Sequence, residues 1–286
     1  MNRKNKSTTL GEWLASARPK LTQKSGEHTS AIYAIAKNRL NKPESWLMAH
    51  QEYELPVNIL ISLDSDLTQL LAGKPLPYIT GKAYFYGLEI MVTPDVLIPR
   101  PETELLVEIA LEKINQFSRP VIAADIGTGS GCIALALASK SGQTSIIATD
   151  TSFSALKLAR ENFTRLGFAD RIKTVAADLL SGVSTRFDII CANLPYIPYE
   201  TLNDLRVKKW EPVSALDGGK TGLLYIGELI KNIKNWLNPD GSIILEIESS
   251  QGDQIIKMCD QRLPVSDCAI VKDMAGKDRI AVINIR

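Results

Sequence analysis

From residue 119 onward, short apolar runs alternate with stretches of helical periodicity. This alternation restricts what the chain can fold into more than any other feature of its sequence. The runs are Val121–Ile126, Ser145–Thr149, Ile172–Ala176, Phe187–Ala192, Ser242–Ile247, Ala269–Lys272 and Arg279–Ile285. The first five are apolar through several consecutive positions, as strands covered on both faces must be. Helix-like segments such as Phe153–Leu166 and Leu223–Leu237 separate them. The pattern predicts an α/β domain with a doubly wound, mainly parallel sheet between layers of helices. The last two runs lie close together with no long helix between them, so they are expected to pair antiparallel at one edge.

Upstream the texture is different. Residues 1–72 read as a small helical domain, with Leu10, Trp13, Leu14 and Ala17 on one helix face and Leu60, Leu63, Leu67, Leu70 and Leu71 on another. Pro43 and Pro56 punctuate the helices. Residues 73–95 are expected to form a connection: Gly73-Lys-Pro-Leu-Pro77 as a stiff linker, then two short strands over 83–92 turning at Gly87. The α/β domain then spans 96–286. It opens with Leu97-Ile-Pro-Arg-Pro-Glu-Thr-Glu104, which leads into a helix with Pro101 suited to its first turn.

Charge and cysteine content exclude several functions. Thirty-three Lys and Arg stand against 32 Asp and Glu, a formal net charge of +1, so direct nucleic-acid binding is not expected. Four scattered cysteines (Cys132, Cys191, Cys259 and Cys268) and two histidines (His28 and His50) lack the close spacing of metal ligands. Buried thiols in a reducing, cytoplasmic compartment are the expectation. No apolar run approaches the ~18 residues of a membrane helix, and the basic, polar Met1–Leu10 segment does not resemble a secretory signal.

The chemistry-bearing residues cluster at the carboxyl ends of the expected strands, where open α/β sheets bind ligands. The first strand ends in Asp125-Ile-Gly-Thr-Gly-Ser-Gly131. Its glycines let the backbone turn sharply and approach a ligand, or simply pack tightly. A dinucleotide fingerprint would place its third glycine at 132, where this chain has Cys132, and Ser214 stands where a phosphate loop ending at Gly219-Lys-Thr221 needs its first glycine. The second strand ends in Asp150, placed to accept hydrogen bonds from ribose hydroxyls or to cap the helix beginning near Ser152. Asp178, after the third strand, suits an adenine amino group or a solvated turn. The fourth strand ends in Asn193-Leu-Pro-Tyr196. Asn193 Oδ1 and the Leu194 carbonyl can accept both hydrogens of a planar –NH2 group while Tyr196 stacks on it; a strand-terminating turn explains Pro195 and Tyr196 but not Asn193.

Together, Asp125-x-Gly-x-Gly-x-Gly131, Asp150 and Asn193-Leu-Pro-Tyr196 resemble the motifs of S-adenosylmethionine-dependent methyltransferases that act on amino nitrogens. Leu97–Glu104, Glu211-Pro-x-x-Ala-Leu-x-Gly-Gly219, Gly222-Leu223 and the helical N-terminal region joined by a hairpin resemble, more narrowly, the protein-(glutamine-N5) methyltransferases of peptide chain release factors. The one departure is Leu194, where that family usually has proline. The resemblance implies a Rossmann-like methyltransferase domain and methyl transfer from S-adenosylmethionine to the glutamine of the Gly-Gly-Gln motif of class I release factors. It implies cofactor contacts at Asp125, Gly127, Thr128, Gly129, Ser130, Gly131, Asp150, Asp178, Leu179 and Asn193, and a catalytic clamp of Asn193, Leu194, Pro195 and Tyr196. Residues 1–72 contain none of the cofactor motifs and form apolar faces of their own, so they are expected to grip the protein substrate, and a monomer is expected. Asn-Leu-Pro-Tyr is similar to the motif of rRNA adenine dimethyltransferases, so adenine-N6 methylation of RNA or DNA is the alternative.

Overall fold

The computed structural model describes residues 7–22, 29–203, 205–263 and 266–285; His28 lies outside them. The chain divides into two compact units, Met1–Lys82 and Ala83–Arg286.

The first unit contains α1 (Leu10–Thr22), α2 (Ser30–Leu40), α3 (Glu44–Ala49), α4 (Val57–Leu71) and α5 (Leu76–Thr80). Trp13, Leu14 and Ala17 of α1 meet Ile32 and Ile35 of α2 and Leu63, Leu67 and Leu70 of α4 in one core. Burying each such leucine contributes about 1.5–3 kcal/mol relative to leaving it exposed. Leu60 and Leu71 sit at the margin of that stripe and are only partly buried. Asp66, buried on α4, accepts two hydrogen bonds from Arg39 of α2 at 2.5 and 2.7 Å, which satisfies its charge. The segment expected as a linker runs directly into α5. Pro77 falls at the start of that helix, where a missing N–H leaves nothing unsatisfied.

The hairpin of β1 (Lys82–Phe85) and β2 (Leu88–Met91) follows, all but its first residue in the second unit. Tyr86 and Gly87 carry φ of 51° and 78°, the two consecutive positive values a tight two-residue hairpin turn requires. After α6 (Thr103–Ile114) come β3 (Val121–Ile126), α7 (Cys132–Lys140), β4 (Thr144–Asp150), α8 (Phe153–Arg165), β5 (Ile172–Ala176), β6 (Phe187–Ala192), α9 (Tyr199–Leu202), α10 (Leu224–Trp236), β7 (Leu237–Glu246), α11 (Gly252–Arg262), β8 (Ser266–Lys272) and β9 (Asp278–Ile285). The sheet order is β5-β4-β3-β6-β7-β9-β8. Strands β3 to β7 pair in parallel, and β9 pairs antiparallel with both β7 and β8, so the antiparallel edge is present.

Two strands depart from expectation. The apolar run at 172–176 forms an edge strand rather than one covered on both faces, and only Ile172 in it is buried. Strand β7 begins at Leu237, five residues before the expected Ser242. Leu237 pairs with Phe187 before the register shifts, and Asp240 with φ of 63° marks the irregularity. The order reverses between β3 and β6, so the connections leaving their carboxyl ends run in opposite directions and leave the crevice in which such sheets hold ligands. Below it, Phe187 and Ile190 of β6 and Ile243 and Leu245 of β7 pack against Ile226, Leu229, Ile230 and Ile233 of α10. All four cysteines are free thiols; Cys268 alone is half-buried. Among the described residues no helix is long and apolar enough to cross a membrane.

Candidate active site

A pocket of about 310 Å³ opens at the carboxyl ends of β3, β4, β5 and β6, within the size range of small-ligand sites. The loop after β3 forms one wall. Buried Asp125 ties it down: Oδ2 accepts from Thr128 Oγ1 at 2.6 Å and from the Ala134 backbone N–H at 3.1 Å, while Oδ1 has no partner among the described residues. Burial, with a further push from Asp150, drives the Asp125 carboxyl up to about 6, against the lowering effect of its Thr128 and Ala134 hydrogen bonds. A Cβ added at Gly129 would meet nothing closer than 3.9 Å, so the wall there is open to a ligand. At Gly131 it would lie 2.4 Å from the Phe163 ring, so the third glycine serves the packing of α8 under the loop.

The second wall is Asp150, at the tip of β4. Its Oδ2 accepts from Gly129 N and its Oδ1 from Ser152 N, each at 2.9 Å. Two backbone donors thus fix the carboxylate while each oxygen keeps acceptor capacity. The cap of α8 is Ser152, whose Oγ accepts from Ala155 N at 3.2 Å. Beyond β5, Leu179 takes φ of 52° and its carbonyl accepts from Thr149 Oγ1 at 2.8 Å, which holds the Asp178–Leu179 turn beside the pocket.

Asn193 follows β6. The register pairs Ala192 with Leu245, so one step further along the same edge Asn193 comes level with Glu246. The Thr103 hydroxyl at the start of α6 bridges them: Asn193 Nδ2 donates to Thr103 Oγ1 at 3.1 Å, and Thr103 Oγ1 donates to Glu246 Oε2 at 2.6 Å. Tyr196 Oη donates to Glu246 Oε1 at 3.2 Å. Burial holds the Glu246 carboxyl above its ordinary range, opposed by the two hydroxyl donors and by Arg279. Burial, then the Glu246 charge, raises the Tyr196 phenol in turn.

A second segment braces the Asn193–Tyr196 turn from outside. Ile197 N donates to Leu216 O, Gly218 N to Ile197 O, and Tyr199 N to Gly219 O. Gln251 Nε2 donates to the carbonyls of Tyr196 and Gly222 at 3.1 Å each. Glu211, which opens this segment, is buried and accepts from Arg100 at 2.5 Å, while its Oε2 has no partner among the described residues. The segments at 97–104 and 211–223, separated in sequence, are thereby joined.

Of the residues expected from sequence, Gly127, Thr128, Gly129, Ser130, Asp150, Asp178, Leu179, Asn193, Leu194 and Pro195 line the pocket. Asp125, Gly131 and Tyr196 stand behind its wall: Asp125 and Gly131 support the glycine loop, and the Tyr196 hydroxyl is committed to Glu246. Glu246 escaped sequence reasoning, and Thr103, although inside the Leu97–Glu104 segment, was given no role there. The available signal was an acid closing the apolar run Ile243-Ile-Leu-Glu246.

A Methyltransferase small domain model matches residues 101–205, and a PrmC N-terminal domain model matches residues 12–81. A release factor glutamine methyltransferase from Enterococcus faecalis is 35% identical over 260 residues, covering 90% of this chain and 92% of the relative. One from Moorella thermoacetica is 38% identical, covering 82% and 83%. The fold is shared with a methyltransferase from Pyrococcus furiosus, at 21% identity and a TM-score of 0.51, over 77% of this chain and 98% of that one. The sheet with its switch-point pocket is that of an α/β methyltransferase. Within this class, the chain belongs to the release factor glutamine methyltransferase family.

Proposed function

We propose that the protein methylates class I peptide chain release factors, moving a methyl group from S-adenosylmethionine to the side-chain amide nitrogen, N5, of the glutamine in their Gly-Gly-Gln motif. The observation that carries this reading is the commitment of Asn193 Nδ2 to Thr103, which leaves the carbonyl end of the Asn193 amide as the acceptor for a substrate –NH2. The Leu194 carbonyl supplies a second acceptor whatever its side chain, so leucine can stand in the place usually held by proline.

The pocket residues fit the cofactor. The open wall at Gly129, the braced Asp150 carboxylate and the Asp178–Leu179 turn offer room, an acceptor pair for ribose hydroxyls and a border for adenine. Gly127, Thr128 and Ser130 would flank the remainder, with Asp125 and Gly131 supporting them from behind. S-adenosylmethionine supplies a methyl group on an electrophilic sulfonium. An amide nitrogen is a poor nucleophile because its lone pair is delocalised, so the work of Asn193 and Leu194 is to hold it in line. Methylation makes that nitrogen acidic, so its proton can leave after transfer. The helical N-terminal unit is assigned to gripping the protein substrate, since it holds a core of its own and none of the pocket residues.

Incubation with methyl-labelled cofactor and, in parallel, release factor or RNA tests the reading. Label is expected in the release factor; label in RNA instead would move the assignment to adenine-N6 chemistry.

A further inference from the structure

We propose that Glu246, acting through Thr103, is a positioning residue that fixes which end of the Asn193 amide faces the pocket. This inference rests on the reading above and gives a role to two residues, Thr103 of the Leu97–Glu104 segment and Glu246 at the end of β7, that it does not use.

The argument is one of proton accounting. A carboxylate is acceptor-only, whereas a threonine hydroxyl has a single hydrogen and can accept as well. Glu246 lies almost wholly inside the protein, with Thr103 Oγ1 at 2.6 Å from Oε2 and Tyr196 Oη at 3.2 Å from Oε1. Both hydroxyl hydrogens therefore point at Glu246. With its hydrogen spent there, Thr103 presents only lone pairs to Asn193, 3.1 Å away. An amide offered lone pairs must answer with its –NH2 end. Asn193 Nδ2 is thus turned inward, and Oδ1 is left for the substrate.

Without the carboxylate, the Thr103 hydrogen is free to point at Asn193 and select the opposite amide orientation. The pocket would then show an –NH2 to a substrate –NH2, two donors face to face. A half-turn of one amide, invisible in the shape of the site, removes its acceptor. The arrangement also accounts for a buried carboxyl group that packing alone does not need. Burial pushes the Glu246 carboxyl up, and the Thr103 and Tyr196 hydroxyls and Arg279 pull it back toward the ionised form.

The test uses the full chain labelled with ¹⁵N at asparagine, the Asn193 side-chain signal being identified by its loss in Asn193→Asp. In the wild type one Asn193 amide hydrogen should exchange at least about tenfold more slowly than those of exposed asparagines, because Thr103 holds it. Thr103→Val keeps shape and removes the hydroxyl. It should abolish that protection and lower kcat on release factor about tenfold or more, since misplacing a reacting group by even about 1 Å can cost 10²-fold. Cofactor affinity should stay within about threefold. Glu246→Leu should do the same, and Thr103→Ser should restore both readouts. The proposal is overturned by an unprotected Asn193 amide in the wild type. Protection that survives Thr103→Val overturns it, as does protection lost with kcat unchanged. A wild type that shows the protected amide, loses it in Thr103→Val and still leaves release factor unmethylated would keep the relay and overturn the proposed function instead.

Discussion

Asn193 and Asp150 stand at the ends of β6 and β4, on either side of β3, yet their partners predict opposite kinetic signatures. Asn193 is held by a buried hydroxyl and meets only the substrate in the proposed reaction. Asn193→Ala should lower kcat by about 10²–10³, as removal of one positioned hydrogen-bonding group does, with cofactor affinity nearly unchanged. Asp150 is braced by Gly129 N and Ser152 N, and its remaining lone pairs are assigned to ribose. Asp150→Ala should weaken cofactor binding by about 1.5–3 kcal/mol, the range for a hydrogen bond to a charged group. Calorimetry and steady-state kinetics on both variants check this split; equal losses of affinity in the two would contradict it. Asp125 makes a separate prediction about stability. Its carboxyl is pushed up to about 6 from 3.8, chiefly by burial. The native state therefore binds more protons than the unfolded chain between these values, and stability from this group is full below about pH 4 and lost as pH rises through 6. Relative to the wild type, Asp125→Asn should gain up to about 3 kcal/mol between pH 4 and 7, read by denaturant unfolding across that range. A difference that stays flat with pH would show that Asp125 does not carry the penalty.

Elements, more than single side chains, decide how firmly the Asn193–Tyr196 turn is held. A Cβ at Gly222 would sit 2.2 Å from the Tyr196 carbonyl oxygen and 2.7 Å from Gln251 Nε2, at φ of 73°. Gly182 has nearly the same φ, 77°, with nothing within 4 Å. Gly182→Ala should thus cost only the about 1–2 kcal/mol of left-handed backbone. Gly222→Ala should cost about 1–3 kcal/mol more through overpacking and, unlike Gly182→Ala, lower kcat. Equal stability losses with kcat retained in both would mean that the 211–223 segment does not brace the turn. The same scale shows what the sequence made legible. Strands β3 and β6 were readable because interior parallel strands must be apolar throughout, and their ends led to Gly127, Gly129 and Asn193. Strand β5 misled, although Lys173 and Thr174 inside its run already marked it as a strand that is not covered on both faces, and it sits at the edge of the sheet. Helix α5 was hidden by two prolines that read as linker but fit a helix start. The bond from Thr103 to Glu246 spans 143 positions; only folding joins them, so no spacing rule finds it.

On the scale of the whole molecule, the two units divide the labour proposed for them. All the pocket residues lie in Ala83–Arg286, and the unit Met1–Lys82 closes a core of its own. A chain beginning at Ala83 should bind cofactor within about threefold of the full protein and lose methylation of intact release factor; normal methylation by that shorter chain would remove the gripping role from the helices. Membership of the family, the switch-point pocket and the oriented Asn193 amide all converge on one claim, that the acceptor atom is a glutamine side-chain nitrogen. The most direct measurement is fragment mass spectrometry of release factor after incubation with the full-length protein and S-adenosylmethionine. The account predicts a single added methyl group, borne by the side-chain nitrogen of the glutamine in the Gly-Gly-Gln motif and absent when Asn193→Ala replaces the wild type. A methyl group on any other residue, or a release factor left unmodified while RNA adenine gains the label, would contradict it.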